Sequence, residues 1–194
     1  MITLLALAAL LAQAGQSAPP APMTQNRAPV PAPPAPMKHP TSPDVDRTFA
    51  IAAIQGNNAE LDMAQLALKR GRANEVKGFA QKMIAEHEGL MKEMSPVLNR
   101  VAGSPSPERL APADILATRH LESIDAVDFD QAYAMQQIGD HLAALTAFQA
   151  EADNGSDAEL KALARKWLPS IQAHLELAVD LTQHIGGSTP FKGQ

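Results

Sequence analysis

The sequence predicts an all-α protein: an up-down-up-down bundle of four long helices, with a short extra helix in the connection between the second and third. Three observations carry that expectation. Aromatic residues make up 4% of the chain and cysteine is absent, while Ala, Leu and Met abound, a composition that suits helix better than sheet. Apolar residues recur every three to four positions in four separate stretches, the period of a helix with one buried face. Most of the proline lies outside those stretches, ten of the sixteen falling between Pro19 and Pro43.

The ends come first. Residues 2–12 (ITLLALAALLA) are apolar. The run is too short for a membrane span, which takes about 20 residues, and has the length of a signal-peptide core. Ala12-Gln13-Ala14 supplies a small-x-small cleavage site, although no Lys or Arg precedes the run. The expectation is a signal peptide over 1–14 and a periplasmic or secreted protein. Residues 15–43, rich in Pro and Ala, bury too little apolar surface to fold and read as a disordered spacer. The bundle should occupy 44–186 and a disordered tail 187–194. No other run is apolar for long enough to cross a membrane, so the mature chain should have no transmembrane segment.

The net charge is −5, and removing the spacer's Arg27 and Lys38 leaves −7 for the remainder. An acidic domain without a basic stripe excludes nucleic acid as a partner class and disfavours an anionic membrane surface. A Pro-rich arm does suit a domain held away from an anchor or another envelope protein. Nothing in the sequence sets the oligomeric state.

Ser42-Pro43-Asp44 opens the first long helix, with a hydroxyl cap, proline in the first turn and acids at the positive end of the dipole. Its stripe is Ala50, Ile54, Leu61, Ala64 and Leu68, and Gly71 stops it. Asn74 caps the second helix, whose stripe runs Val76, Phe79, Ala80, Met83, Ile84, Leu90, Met91, Met94 and Leu98. The tight turn makes the two antiparallel neighbours. After the S-P-S-P turn at 104–107, Pro112 opens a short helix to about Ile124. The third long helix begins at Asp128 or Phe129, carries Ala134, Ile138, Leu142, Leu145, Phe148 and Ala152 inward, and ends at Asn154-Gly155. Ser156-Asp157-Ala158-Glu159 reads as a capping box for the fourth, with Leu160, Leu163, Ala164, Trp167, Ile171, Leu175, Ala178 and Ile185 inward. There is no fixed-period repeat, and the two hairpins resemble each other only loosely.

Polar residues inside these stripes carry the functional signal. His87, His141 and His174 each fall between apolar residues of their own helix, and Glu60 lies near the edge of the first stripe with Asn57 closer to its centre. A rise of about 1.5 Å per residue places the four at similar heights. Three imidazoles and a carboxylate would make a shell for a divalent metal: zinc, copper, iron or manganese. The alternative is a metal-free layer in which His87, His141, His174 and Glu60 bond with Asn57, Gln136, Gln137 or Tyr133. Both readings stay open at the level of sequence.

Enzyme signatures are missing. No histidine follows a glutamate by three, which removes the Glu-x-x-His pair of a di-iron oxidase. There is no nucleophile elbow, P-loop or dinucleotide fingerprint. No catalytic residue or organic cofactor site is therefore assigned, and the chain leans away from enzymes.

Taken together, A-x-x-G-N-x-A-E at Ala53–Glu60 with QLAL at 65–68, EVKGFAQKMIAEHE at 75–88, FDQAYAMQQIGDHLAALTAFQAEADNG at 129–155 and ELKALARKWLPSIQAHLELA at 159–178 resemble a bacterial family, the domain of unknown function numbered 4142. The resemblance spans most of residues 45–182. It implies a ferritin-like four-helix fold in an exported, often envelope-located protein. It carries over His87, His141, His174, Glu60 and the Leu168-Pro169 step as family-pattern positions. It implies no established reaction. The expected function is thus an exported bundle holding a metal through the cluster of three histidines and Glu60, or an envelope interaction module with a metal-free polar layer.

Overall fold

Amphipathic stripes and turn residues resolve into five helices: α1 Pro43–Arg70, α2 Asn74–Ala102, α3 Pro112–Ser123, α4 Phe129–Asn154 and α5 Ala158–Ile185. They come from a computed structural model that describes residues 43–103 and 108–185. The expected signal peptide, the spacer up to residue 42 with the Ser42 cap, the S-P-S-P turn and the tail lie outside the described residues, and Pro43, expected to end the spacer, is the first residue of α1. Pro96 and Pro169 sit inside α2 and α5, and both are exposed. Among the described residues no helix is long and apolar enough to cross a membrane.

Two caps differ from the sequence expectation. Asn74 is the first residue of α2 and makes no side-chain cap. The turn before it is held from another helix, by Asp130 of α4, which accepts from the Arg72 N–H at 2.9 Å and the Ala73 N–H at 2.8 Å. At α5 it is Asp157 and not Ser156 that caps, accepting from the N–H groups of Glu159 and Leu160. Ser156 instead bonds through both its N–H and its hydroxyl to Asp46 of α1.

These long-range caps set the helix directions. The start of α4 touches the α1–α2 turn, and the start of α1 touches the α4–α5 turn. α1 and α4 are therefore antiparallel, as are α2 and α5, which Arg100 links to Asp157 and Glu159. Around the bundle the order is α1, α2, α5, α4, and neighbours alternate up, down, up, down. Along the chain the directions run up, down, down, up, because the connection climbs the length of α1. Gln55 and Asn58 donate to the carbonyls of Glu108 and Arg109 partway up. Arg70 then bonds the carbonyls of Leu121, Glu122 and Ile124 at the top. One long crossover of this kind belongs to ferritin-like bundles.

The hairpins match more closely than their sequences suggest. The register that lays Asp46 on Asp130 also lays Ala50 on Ala134, Gly71 on Gly155, Val76 on Leu160 and Ala80 on Ala164, all buried. Neither glycine has room for a side chain. A Cβ on Gly71 would stand 2.6 Å from the Ala67 carbonyl oxygen, and one on Gly155 would stand 2.0 Å from Glu151 Oε1 and 2.8 Å from Asp46 Oδ1.

The core forms two apolar clusters. The upper one includes Met63, Phe79, Met83, Phe129, Tyr133 and Leu181. The lower includes Phe49, Leu90, Met94, Phe148, Leu160 and Ile171. The α2 and α5 stripes are largely as expected, with Leu181 added to α5. On α4 the inward line is Phe129, Tyr133, Ala134, Gln137, His141, Phe148, Glu151 and Ala152. Leu142 is 51% exposed, because an inward His141 turns the next residue about 100° away. On α1, Ile54, Leu61 and Leu68 are half-buried, and Phe49, Ala59, Met63 and Ala67 take the centre.

Candidate metal centre

On each long helix, one polar step separates the upper cluster from the lower. Asn57 lies between Ala50 and Met63, His87 between Met83 and Leu90, His141 between Ala134 and Phe148, and His174 between Ile171 and Ala178. Spacings of three to seven residues keep each polar group on its helix's buried face. The four helices thus bring three imidazoles together. Ring centroids are 5.2, 5.6 and 6.0 Å apart, and one nitrogen from each ring lies within 4.8 Å of the other two.

The outer nitrogen of every ring has an acceptor. His87 Nδ1–H donates to Asn57 Oδ1 at 3.1 Å, and His141 Nδ1–H donates to the Gln137 carbonyl at 2.8 Å. His174 Nε2–H donates to the Glu86 carboxylate. In a neutral imidazole the nitrogen that donates holds the proton and the other offers a lone pair. The lone pairs therefore belong to His87 Nε2, His141 Nε2 and His174 Nδ1. Orientation of ligating imidazoles by a carboxylate, carbonyl or amide oxygen on the far nitrogen is the usual support of a metal site.

The rings are held neutral. Burial is the largest cause in each case, taking His87 down to about 3 and His141 to about 4, and lowering His174 as well. Burial pushes the Glu86 carboxyl up, but its hydrogen bonds from Lys82 and His174 outweigh this and hold it below the usual range. His141 Nε2 and His174 Nδ1 stand 3.3 Å apart. Two lone pairs at that distance repel unless a proton, a water or a cation lies between them. A tetrahedral ion with bonds of about 2.0–2.1 Å separates its nitrogen ligands by about 3.3–3.4 Å. His87 Nε2 is buried and has no hydrogen-bond partner.

Glu60 stands apart from the convergent nitrogens. Its Oε1 is 4.0 Å from His141 Nδ1, on the outer edge of that ring, and its Oε2 accepts from Gln137 Nε2 at 2.7 Å. Burial, and then Asp140, push its carboxyl up to about 8 against the Gln137 bond, so it is protonated at neutral pH. The structure thus joins His87, His141 and His174 and puts Glu60 behind His141. Of the residues expected in a polar layer, Asn57 orients His87 through its side chain, while the Gln137 side chain bonds Glu60 and only its backbone carbonyl meets His141. Glu86 was missed. Its only signal is position: a residue just before an inward histidine flanks the buried face, where it meets the neighbouring helix.

All three histidines line a cavity of about 290 Å³ that extends into the lower cluster. Its walls include Phe49, Leu90, Phe148, Trp167 and Ile171, together with Glu60, Glu86, Asp114 and Asp140 but no Lys or Arg.

Comparison with known proteins agrees with this architecture. The family model described as "Domain of unknown function (DUF4142)" matches residues 30–181. No curated protein matches the chain. Among solved structures, the crystal structure of a DUF305 fragment from Deinococcus radiodurans is similar, with a TM-score of 0.63 and 18% sequence identity, over 75% of this chain and 99% of that one. At that identity the likeness concerns the fold.

Proposed function

The chain belongs to the DUF4142 family, domains of unknown function, and for this member we propose a metal-binding role: His87, His141 and His174 hold one divalent transition ion. The observation that carries the proposal is the convergence of three neutral imidazoles whose outer nitrogens are all engaged and which bring one nitrogen apiece within 4.8 Å of one another, His141 Nε2 and His174 Nδ1 standing at 3.3 Å. In a metal-free layer His87 Nε2, buried without a protein partner, and the facing His141 Nε2 and His174 Nδ1 would share a water in place of an ion. All-imidazole ligation suits zinc and copper best, then iron; manganese favours oxygen ligands. Glu60 sits behind His141 and off the ion. We further propose that this happens outside the cytoplasm, on the strength of the apolar run at residues 2–12 with Ala12-Gln13-Ala14 after it and the Pro- and Ala-rich residues 15–43. The chain's role there is to hold metal, with no reaction assigned.

Titration calorimetry of untagged protein with Zn²⁺ and Cu²⁺ tests the centre. One ion per chain is expected at pH 7, with affinity at least 100-fold weaker in His87→Ala and His141→Ala. No uptake of either ion by the folded wild-type protein would sink the proposal. Cell fractionation and N-terminal sequencing of the mature chain test export; an intact N-terminus on cytoplasmic protein would reject it.

A further inference from the structure

Three protein ligands leave a tetrahedral ion with one more coordination position. His87, His141 and His174 all form part of the wall of the same cavity, so the chamber adjoins the place where an ion held by them would sit. Its volume of about 290 Å³ is roughly twice the ~150 Å³ that accommodates a benzene ring. Phe49, Phe148 and Trp167 give it aromatic walls, and Leu90 and Ile171 aliphatic ones. Two of the lining residues, His87 and Trp167, each keep a buried ring nitrogen without a hydrogen-bond partner.

The electrostatics of the lining narrow the occupant. Glu86, Asp114 and Asp140 line the chamber and no Lys or Arg does. Glu86 is paired with Lys82, so Asp114 and Asp140 are left to oppose an ion's two positive charges, and an anionic guest would meet repulsion from them as well as desolvation. A neutral guest with a nitrogen lone pair meets neither.

Resting on the metal-binding reading, we propose that the chamber is the ligand pocket of the metal centre. It takes a neutral aromatic nitrogen heterocycle of about two rings, its ring nitrogen on the ion and its flat apolar body among Phe49, Phe148 and Trp167.

The test uses the full chain loaded with Co²⁺, with 4-phenylimidazole as the probe and biphenyl-4-carboxylate as its anionic counterpart. Trp167, the one tryptophan, reports on the chamber by fluorescence, and the cobalt visible spectrum reports on the ion. Saturable binding of 4-phenylimidazole should change both signals, with affinity at least tenfold weaker in metal-free protein. Biphenyl-4-carboxylate should bind at least tenfold more weakly than the heterocycle. Ala144→Phe, which fills the chamber, should keep the cobalt and lose the probe, and Ala144→Leu serves if the larger side chain unfolds the protein. Stoichiometric cobalt uptake with neither signal responding to 4-phenylimidazole overturns this inference alone. So does equal binding of the anion, or equal binding by the filled variant. No cobalt uptake overturns the metal reading and this inference with it.

Discussion

Asp46 and Asp130 do the same work at opposite ends of the bundle. Each lies in the first turn of the helix that begins one hairpin, and each accepts backbone N–H groups from the turn of the other hairpin. The hairpins are thereby tied to each other top and bottom, which fixes the heights at which His87, His141 and His174 meet.

Removing either tie should destabilise the fold. Hydrogen bonds to a charged group are worth about 1.5–3 kcal/mol, so Asp130→Ala and Asp46→Ala should each lower the unfolding free energy by about 2–3 kcal/mol in urea. A loss below about 0.5 kcal/mol for Asp130→Ala would mean that the cap is not structural.

Gly71 and Gly139 make an opposite-sign pair. Gly71→Ala drives a Cβ to 2.6 Å from the Ala67 carbonyl oxygen and should cost about 1–2 kcal/mol through forced backbone movement. Gly139 lies mid-helix in α4 with nothing within 4 Å of its Cβ position, and Gly139→Ala should add about 0.5–1 kcal/mol through helix propensity. Thermal melts of the two variants should move in opposite directions.

Glu151 predicts a pH dependence. It is fully buried beside Asp46, and burial, followed by the Asp46 charge, pushes its carboxyl up to about 7 against the pull of Lys161. Between about 4.5 and 7 the unfolded chain has released this proton and the folded chain has not. The Glu151 contribution therefore falls as pH rises through that window and is level above it. The difference in Tm between wild type and Glu151→Gln should move steadily in favour of the variant from pH 4.5 to 7; a difference constant with pH would refute it.

Around the centre, metal affinity should grade with distance from the ion. Glu86→Gln removes the carboxylate that orients His174 and should weaken metal binding by about 10–100-fold. Glu60→Gln exchanges one neutral group for another behind His141 and should change affinity by less than about fivefold, with Tm nearly unchanged. A loss of about 100-fold in Glu60→Gln would instead put that carboxylate on the ion.

The helices and the buried direction of the three histidines are legible along the chain. Both are local properties: apolar period and punctuation mark each helix, and a histidine between Met83 and Leu90, or between Ile171 and Ala178, has one direction in which to point. Which end of one hairpin meets the other is settled by packing between helices, because it depends on the crossover lying along α1. The same packing gave Asp130 a turn to cap that is remote in sequence, turned Leu142 outward and brought Glu86 to His174. It also set Glu60 on the outer edge of His141, a matter of a few ångströms across helices that periodicity along one helix cannot express.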